Sequence, residues 1–404
     1  MIILVINCGS SSIKYKLMDM KNDNVYDILA KGQVEKIGLP EGINTYKPTG
    51  KDPVEKFLPV PNHTVGLQLI LEDLVNPSYG VLKSFNDIDA VGHRAVQGAD
   101  FFSGSALVND DVLEKIEFCA EFAPLHNPAN LLGIRTCQKE LPDVPQVVVF
   151  DTAFHQTMPE YAYMYALPYE YYTKYHIRRY GAHGTSHQYV AYRGAEFAGL
   201  NIEHSKIITC HIGNGSSVTA VLNGKSVDTS MGFTPLEGMI MGTRCGSIDP
   251  SIVTYMMKKE NLSPDEMNFV MNRKSGFMGL SGKTSDAREI NDLANSGDAK
   301  AKLVFKKLTY DIIKLIGAYT AVMNGVDLIV FTAGIGEHNP RLRRRVCENL
   351  TYLGVKIDYE ANMASGEEAI LSTSDSKVKL ALIPTEEELM IARDTMHIVS
   401  AIDK

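Results

Sequence analysis

Arg94 and Arg244 stand where a solvating arginine has no reason to be, in Val91-Gly92-His93-Arg94 and in Met241-Gly242-Thr243-Arg244-Cys245-Gly246. A planar guanidinium among small and apolar neighbours suits a bidentate grip on a carboxylate or phosphate in a dry pocket, a buried structural ion pair being the alternative. Gly181-Ala182-His183-Gly184-Thr185-Ser186-His187 holds two histidines four apart, the spacing of zinc ligands on a helix. Gly184 lies between them and no glutamate fills the general-base slot of the metalloprotease pattern, so hydrogen bonding to an anion is the better reading. Asp151, at the end of the apolar run Gln146 to Phe150, and the acidic Glu386-Glu387-Glu388 are candidate magnesium partners. Magnesium keeps several waters and takes one or two carboxylates plus phosphate oxygens. Thr385 and Glu388 have capping-box spacing, which predicts that one of these glutamates serves a helix start.

Three glycine-rich strand ends could approach a phosphate or a nucleotide: residues 9 to 12, 213 to 217 and 334 to 336. Glycine there permits positive φ and close backbone approach. Gly282-Lys283-Thr284 mimics the end of a P-loop, but the required first glycine would fall at Phe277 and no apolar strand precedes it, so no Walker A site is expected.

These residues need a scaffold, and its pattern repeats. Ile2 to Asp19 reads as strand, Gly/Ser turn, strand; Lys206 to Leu222 repeats the plan around Gly213-Asn214-Gly215-Ser216-Ser217 and ends in a hairpin turn at Asn223-Gly224. Short apolar strands at 146 to 150 and 328 to 331 alternate with helical patterns such as Ala301 to Met323, and a last helix is expected from about Pro384 through Ile398. Alternation of strands and helices with an internal duplication predicts a layered α/β protein of two similar halves. Their Gly/Ser turns would face one another across a cleft and clamp a polyphosphate through backbone N–H groups. Arg341-Leu342-Arg343-Arg344-Arg345 is expected to be a solvated helix face.

Composition bounds the rest. A chain of 404 residues predicts two domains, with a boundary near residue 153. A net charge of -8 gives no global basic field for nucleic acid or an anionic membrane, so any bound anion must be held locally. Six cysteines without a CxxC pair are expected to be reduced, small buried hydrophobes rather than a disulfide framework or zinc site. The apolar N-terminal run is short and lacks a basic leader, and Leu315 to Val326 is about half a bilayer crossing, so a cytoplasmic location is expected.

With these pieces in place the chain resembles the acetate kinase family, part of the superfamily that includes sugar kinases, actin and heat-shock chaperone ATPases. The resemblance runs nearly end to end and is carried by Val5-Ile6-Asn7-Cys8-Gly9-Ser10-Ser11-Ser12, Phe150-Asp151-Thr152-Ala153-Phe154-His155, Gly184-Thr185-Ser186-His187, and the stretch from Met231 to Pro250. It implies a duplicated, two-lobed actin-like fold with ribonuclease H-like halves, residues 1–153 plus 388–404 forming one domain and 154–387 the nucleotide-binding one. It implies direct transfer of a phosphoryl group between ATP and acetate, with ADP and acetyl phosphate as products, in a homodimer. Asn7 and Glu387 would position Mg²⁺, with Ser10, Ser12 and Lys14 near the phosphates. His211, Gly213, Asn214 and Gly215, then Asp286, Ala287 and Arg288, then Gly334, Ile335, Gly336, Glu337 and His338 match the family's nucleotide-binding segments. Arg94 would grip the acceptor carboxylate and Asp151 orient it. His183 and Arg244 would stabilise the transferring group, with His126 close by. Val96, Leu125 and Pro235 match the pocket for the substrate methyl group, but Ala182 replaces the usual Phe, which predicts a larger pocket that tolerates propionate. Gln97 and Ala99 replace the usual His and Gly, leaving the local loop geometry open. A sugar kinase would need a base and polar side chains for several hydroxyls, and a nucleotide-driven chaperone would have no use for a carboxylate anchor.

Overall fold

The computed structural model describes residues 1–124 and 126–402, so Leu125 lies outside the described residues. The chain divides into two compact units, Met1–Ala153 joined by the C-terminal segment from Glu386, and Phe154–Thr385.

The first unit is built on eight strands: β1 (Ile2–Cys8), β2 (Ser12–Met20), β3 (Tyr26–Glu35), β4 (Gly42–Pro48), β5 (Val54–Leu58), β6 (Ala90–Ala95), β7 (Ala106–Leu107) and β8 (Gln146–Phe150). Their order is β5-β4-β3-β2-β1-β6-β8-β7, with β1, β6 and β8 parallel. The second unit has six: β9 (Lys206–Ile212), β10 (Ser216–Leu222), β11 (Lys225–Thr229), β12 (Leu328–Thr332), β13 (Ala369–Ile370) and β14 (Lys379–Leu382), ordered β11-β10-β9-β12-β14-β13. The duplication is visible strand by strand. Each unit opens with an antiparallel meander, of five strands in the first and three in the second, adds two parallel strands, and closes with a short antiparallel edge strand. The parallel strands are covered on both faces, which is why β8 and β12 read as unbroken apolar runs and are buried at every position.

Helices supply the covering layers. In the first unit, helices His63–Leu74 and Asn127–Glu140 pack on the sheet together with the last helix, Glu387–Ile402. That last helix approaches β6 so closely that a Cβ on Gly92 would stand 2.5 Å from Thr395 Oγ1 and 2.7 Å from Ile391 Cγ2. In the second unit, the 24-residue helix Ala299–Val322 buries Val304, Phe305, Leu308, Ile312 and Ile316 in a core shared with β9, β10 and β12.

Three sequence expectations change. The last helix begins at Glu387, and Thr385 does not form the capping box: its hydroxyl donates to Ser186, while Glu388 pairs with Lys16. Arg343, expected on a solvated face, is fully buried, because helix Pro340–Glu348 turns it inward onto four main-chain carbonyls. The glycines at 9, 213, 215, 334 and 336 do not adopt positive φ. Gly213 instead lacks room, since an added Cβ would lie 3.1 Å from the Gly215 carbonyl. Left-handed backbone near these segments falls instead on the non-glycine residues His183 (φ 59°) and Ala333 (φ 64°), each at the start of a helix. Among the cysteines, all six are free thiols and only Cys245 is not fully buried.

Candidate active site

In the first unit the meander and the parallel strands bring together Asn7 on β1, Lys14 on β2, Arg94 on β6, Asp151 at the end of β8, and Glu387 in the first turn of the last helix. Arg94 grips Asp151 in a fork, Nε to Oδ1 at 2.8 Å and Nη2 to Oδ2 at 2.5 Å, and donates from Nη1 to Asn7 Oδ1 at 3.2 Å. The face of the guanidinium expected to hold an acceptor carboxylate is therefore engaged by the protein's own carboxylate. Glu387 Oε2 stands 3.9 Å from the same arginine. Burial raises the Glu387 carboxyl to about 7, Arg94 and Lys14 opposing and Asp151 and Glu388 adding to the rise. Two carboxylates thus face one guanidinium, a local excess of negative charge that a cation would relieve. Lys16, which no sequence signal singled out, bridges Glu386 and Glu388 at 2.8 and 3.2 Å and holds the start of the last helix to β2.

Ser10 and Ser12 form the β1–β2 turn, which Gly9 N–H closes on the Ser12 carbonyl at 2.8 Å. Val96 is buried and its N–H donates to Asn130 Oδ1. His126 immediately precedes helix Asn127–Glu140, whose buried Asn127 and Asn130 tie the 96–97 backbone and the Cys8 carbonyl together. Gln97 and Ala99 prove to be one device: Ala99 adopts φ 49°, and its N–H donates to Gln97 Oε1 at 2.9 Å.

In the second unit His183, Arg244 and the β9–β10 turn converge. A Cβ built on Gly215 would stand 3.5 Å from His183 Nε2 and 3.6 Å from Arg244 Nη1. Arg244 donates to the Pro235 carbonyl at 3.0 Å and has no carboxylate within ion-pair distance among the described residues. Burial and Arg273 lower its pKa, so this cation is held without a counter-ion. The His183 ring stacks on His211, with centroids 4.1 Å apart and planes at 19°. Ala182 is buried against Met231 and Met241. The backbone on either side of Pro235, at 229–231 and at Glu237, is tied by a network that the sequence did not announce. Arg179 donates to the carbonyls of Thr229, Ser230 and Met231 and pairs with Glu237, which also accepts from Tyr165.

Beside the turn lies a cavity of about 700 Å³ lined by Gly213, Asn214, Asp286, Ala287, Arg288, Gly334, Ile335 and His338, joined by Ser285, Asn291, Asp292 and Asn339–Arg341. Three separate sequence segments thus meet at one void, large enough for a nucleoside. Asp286 caps helix Ala287–Asn295 and pairs with the exposed Arg288, which holds its carboxyl down at about 2. Gly336 and Glu337 stand behind the lining: their carbonyls accept from Arg343 at 2.7 Å, and Glu337 Oε1 accepts from Thr385 N–H. The P-loop mimic is a helix end, with Gly282 at φ 68° and Lys283 paired to Asp298.

Comparison with known proteins shows the family of the chain. The sequence model of the acetokinase family matches residues 2–393. The acetate kinase of Thermoanaerobacterium thermosaccharolyticum is 56% identical over 99% of both chains, and that of Carboxydothermus hydrogenoformans 55% identical over 98% of this chain and 99% of its own. Among solved structures, Porphyromonas gingivalis acetate kinase superposes with a TM-score of 0.93 at 46% identity, covering 98% of this chain and 99% of its own. A propionate kinase from Francisella tularensis superposes at 0.91 with 42% identity and the same coverage.

Proposed function

The chain belongs to the acetokinase family and is a phosphotransferase with a carboxyl group as acceptor, and from that premise we propose how its residues divide the work of moving the γ-phosphoryl group of ATP to acetate. The products are acetyl phosphate and ADP, and the reaction runs both ways. Acetate is already ionised at neutral pH, so no strong base is required. The demand falls on alignment and on charge, because a metaphosphate-like transition state spreads negative charge over three equatorial oxygens.

The single observation that carries the reading is Arg244, a half-buried cation without a carboxylate partner among the described residues, converging with His183 on the Gly215 turn. An anion arriving there gains a hydrogen-bonded charge partner in a site already desolvated. The cavity beside the turn takes the adenosine, and Asn214 and the 213–215 backbone lead from it to the phosphates. In the first unit, Arg94 orients the acceptor carboxylate through its remaining capacity while Asp151 fixes the plane of the guanidinium. Ala182 leaves the volume that a phenylalanine would fill, and a propionate methylene can occupy it.

A divalent cation fits the residues of the first unit, where the Glu387 and Asp151 carboxyls and the Asn7 oxygen gather around the single Arg94 guanidinium and the Glu387 carboxyl is raised to about 7. Asn7 and Glu387 would hold magnesium, which neutralises phosphate charge when bound. No helix among the described residues is long and apolar enough to cross a membrane; a cytoplasmic homodimer is the state we propose.

The test is acyl phosphate capture as hydroxamate from ATP with acetate, propionate and butyrate. Acetate should be converted, propionate should follow, and Arg244→Ala should lower kcat about 100-fold or more with little change in KM for acetate. Failure of all three acids to give acyl phosphate would overturn the reading.

A further inference from the structure

His183 is held from behind by a line of buried groups inside the second unit. Its Nδ1 lies 2.8 Å from Ser217 Oγ; the same hydroxyl lies 2.7 Å from His187 Nε2; and His187 Nδ1 lies 2.7 Å from Thr209 Oγ1. Ser217, His187 and Thr209 have no exposed surface. The Ser217 hydroxyl has one hydrogen and, among the described residues, no acceptor for it besides these two ring nitrogens, so when that hydrogen is bonded one nitrogen accepts it and the other donates to the Ser217 oxygen. The two tautomers are therefore coupled, and fixing the proton of one ring fixes the proton of the other.

We propose that His187 is a positioning residue for phosphoryl transfer: its Nε2–H donates to Ser217, the Ser217 hydroxyl donates to His183 Nδ1, and the proton of a neutral His183 is thereby placed on Nε2. This rests on the reading of His183 as a donor to the transferring group. Nε2 is the nitrogen beside the Gly215 turn, 3.5 Å from where a Cβ there would stand, with Arg244 Nη1 3.6 Å from the same point. Both donors then serve the same phosphoryl oxygens. In the opposite arrangement, His187 gives its proton to Thr209 and accepts from Ser217, and His183 must give its own proton to Ser217. Its Nε2 would then turn a lone pair toward phosphate.

The surroundings keep His187 neutral, as the relay requires. Burial and the imidazoles of His155 and His211, with ring centroids 5.8 and 6.1 Å away, push its pKa well below 6.5. Thr209, free to donate its hydroxyl hydrogen to His187 Nδ1, completes the line. A parallel brace holds the ring stacked on His183: His211 Nδ1 lies 2.8 Å from Ser186 Oγ, which accepts from Thr385.

The tautomers can be read in long-range ¹H–¹⁵N spectra of wild-type protein labelled at histidine. At the pH of activity both His183 and His187 should show the neutral Nε2–H pattern; an Nδ1–H or imidazolium pattern at His183 overturns the proposal. Among variants, Ser217→Ala should lower kcat about tenfold, the effect of one hydrogen bond, with both KM values nearly unchanged. His187→Gln, whose amide can still donate to Ser217, should keep most of that activity, and His187→Ala should not. Equal loss in the Gln and Ala variants counts against the relay. Unchanged kcat in His183→Ala would instead overturn the donor role of His183, while the wild-type spectrum still decides whether the relay exists.

Discussion

Glu387 is the residue whose titration should be felt in stability. Its folded pKa of about 7 exceeds the ordinary 4.5, so between those values the folded chain retains a proton that the unfolded chain releases. Stability contributed at this position is present below about pH 4.5, falls as pH rises through the window, and levels above 7. Glu387→Gln removes the titration, so urea midpoints of variant and wild type should diverge from pH 5 to 8 in favour of the variant. Parallel pH profiles would refute the assignment. Ala99 offers a second residue-scale outcome. A non-glycine residue at φ 49° carries strain of about 1–2 kcal/mol, so Ala99→Gly should raise the melting temperature, with Gln97 still accepting the N–H. Residue types near the chemistry were legible because they break the rules of surfaces: Arg94 and Arg244 among small residues, and histidines beside glycines, which the structure places at the start of helix Gly184–Phe197. The parts played by Ser217, read only as the end of a Gly/Ser turn, and by Lys16, one lysine of an alternating strand, were not legible, because their partners are distant in sequence.

At the scale of elements, helix Pro340–Glu348 shows what a one-dimensional reading misses. Leu342-Arg343-Arg344-Arg345 looks like a charged face, yet helical geometry turns Arg343 in while Arg344 and Arg345 stay out. Its guanidinium donates to the Gly336 and Glu337 carbonyls at the end of helix Ala333–His338, and to Asn362 and the Ala364 carbonyl on the other side. Burial lowers its pKa to about 10, which still leaves it charged at neutral pH. Arg343→Met strands those buried carbonyls, and a loss of about 3–5 kcal/mol is expected by denaturant titration. Because Gly334, Ile335 and His338 line the nucleotide cavity from the same short helix, KM for ATP should rise while KM for acetate holds. Equal rises in both would show that the helix does not communicate with the nucleotide alone. The β1–β2 and β9–β10 turns, by contrast, were readable from sequence, since apolar β-branched runs on either side of a Gly/Ser break admit little else. What the glycines do there was not readable, since at Gly213 the constraint is a tight approach of 3.1 Å between an added Cβ and the Gly215 carbonyl rather than φ.

For the whole molecule the duplication was the most informative pattern, because two hairpin-opened runs in one chain demand two similar sheets, and the strand orders agree from the meander to the edge strand. The association with a second copy proposed above has a candidate surface. The segment from Tyr161 to Tyr175 exposes Tyr161, Leu167, Tyr169 and Tyr175 at 87, 54, 58 and 57%. Aromatic side chains of this size, gathered in one stretch, exceed the scattered apolar exposure of a monomer surface and match the composition of interface cores. The overall charge of -8 opposes association only weakly at physiological salt, where the screening length is about 8 Å. Sedimentation equilibrium should therefore give twice the chain mass of 44.6 kDa. Tyr161→Lys combined with Tyr169→Lys should shift the equilibrium toward monomer without unfolding either sheet, as far-ultraviolet circular dichroism would report. A wild-type mass of one chain, or a double variant that dimerises as tightly as wild type, would remove this segment from the interface.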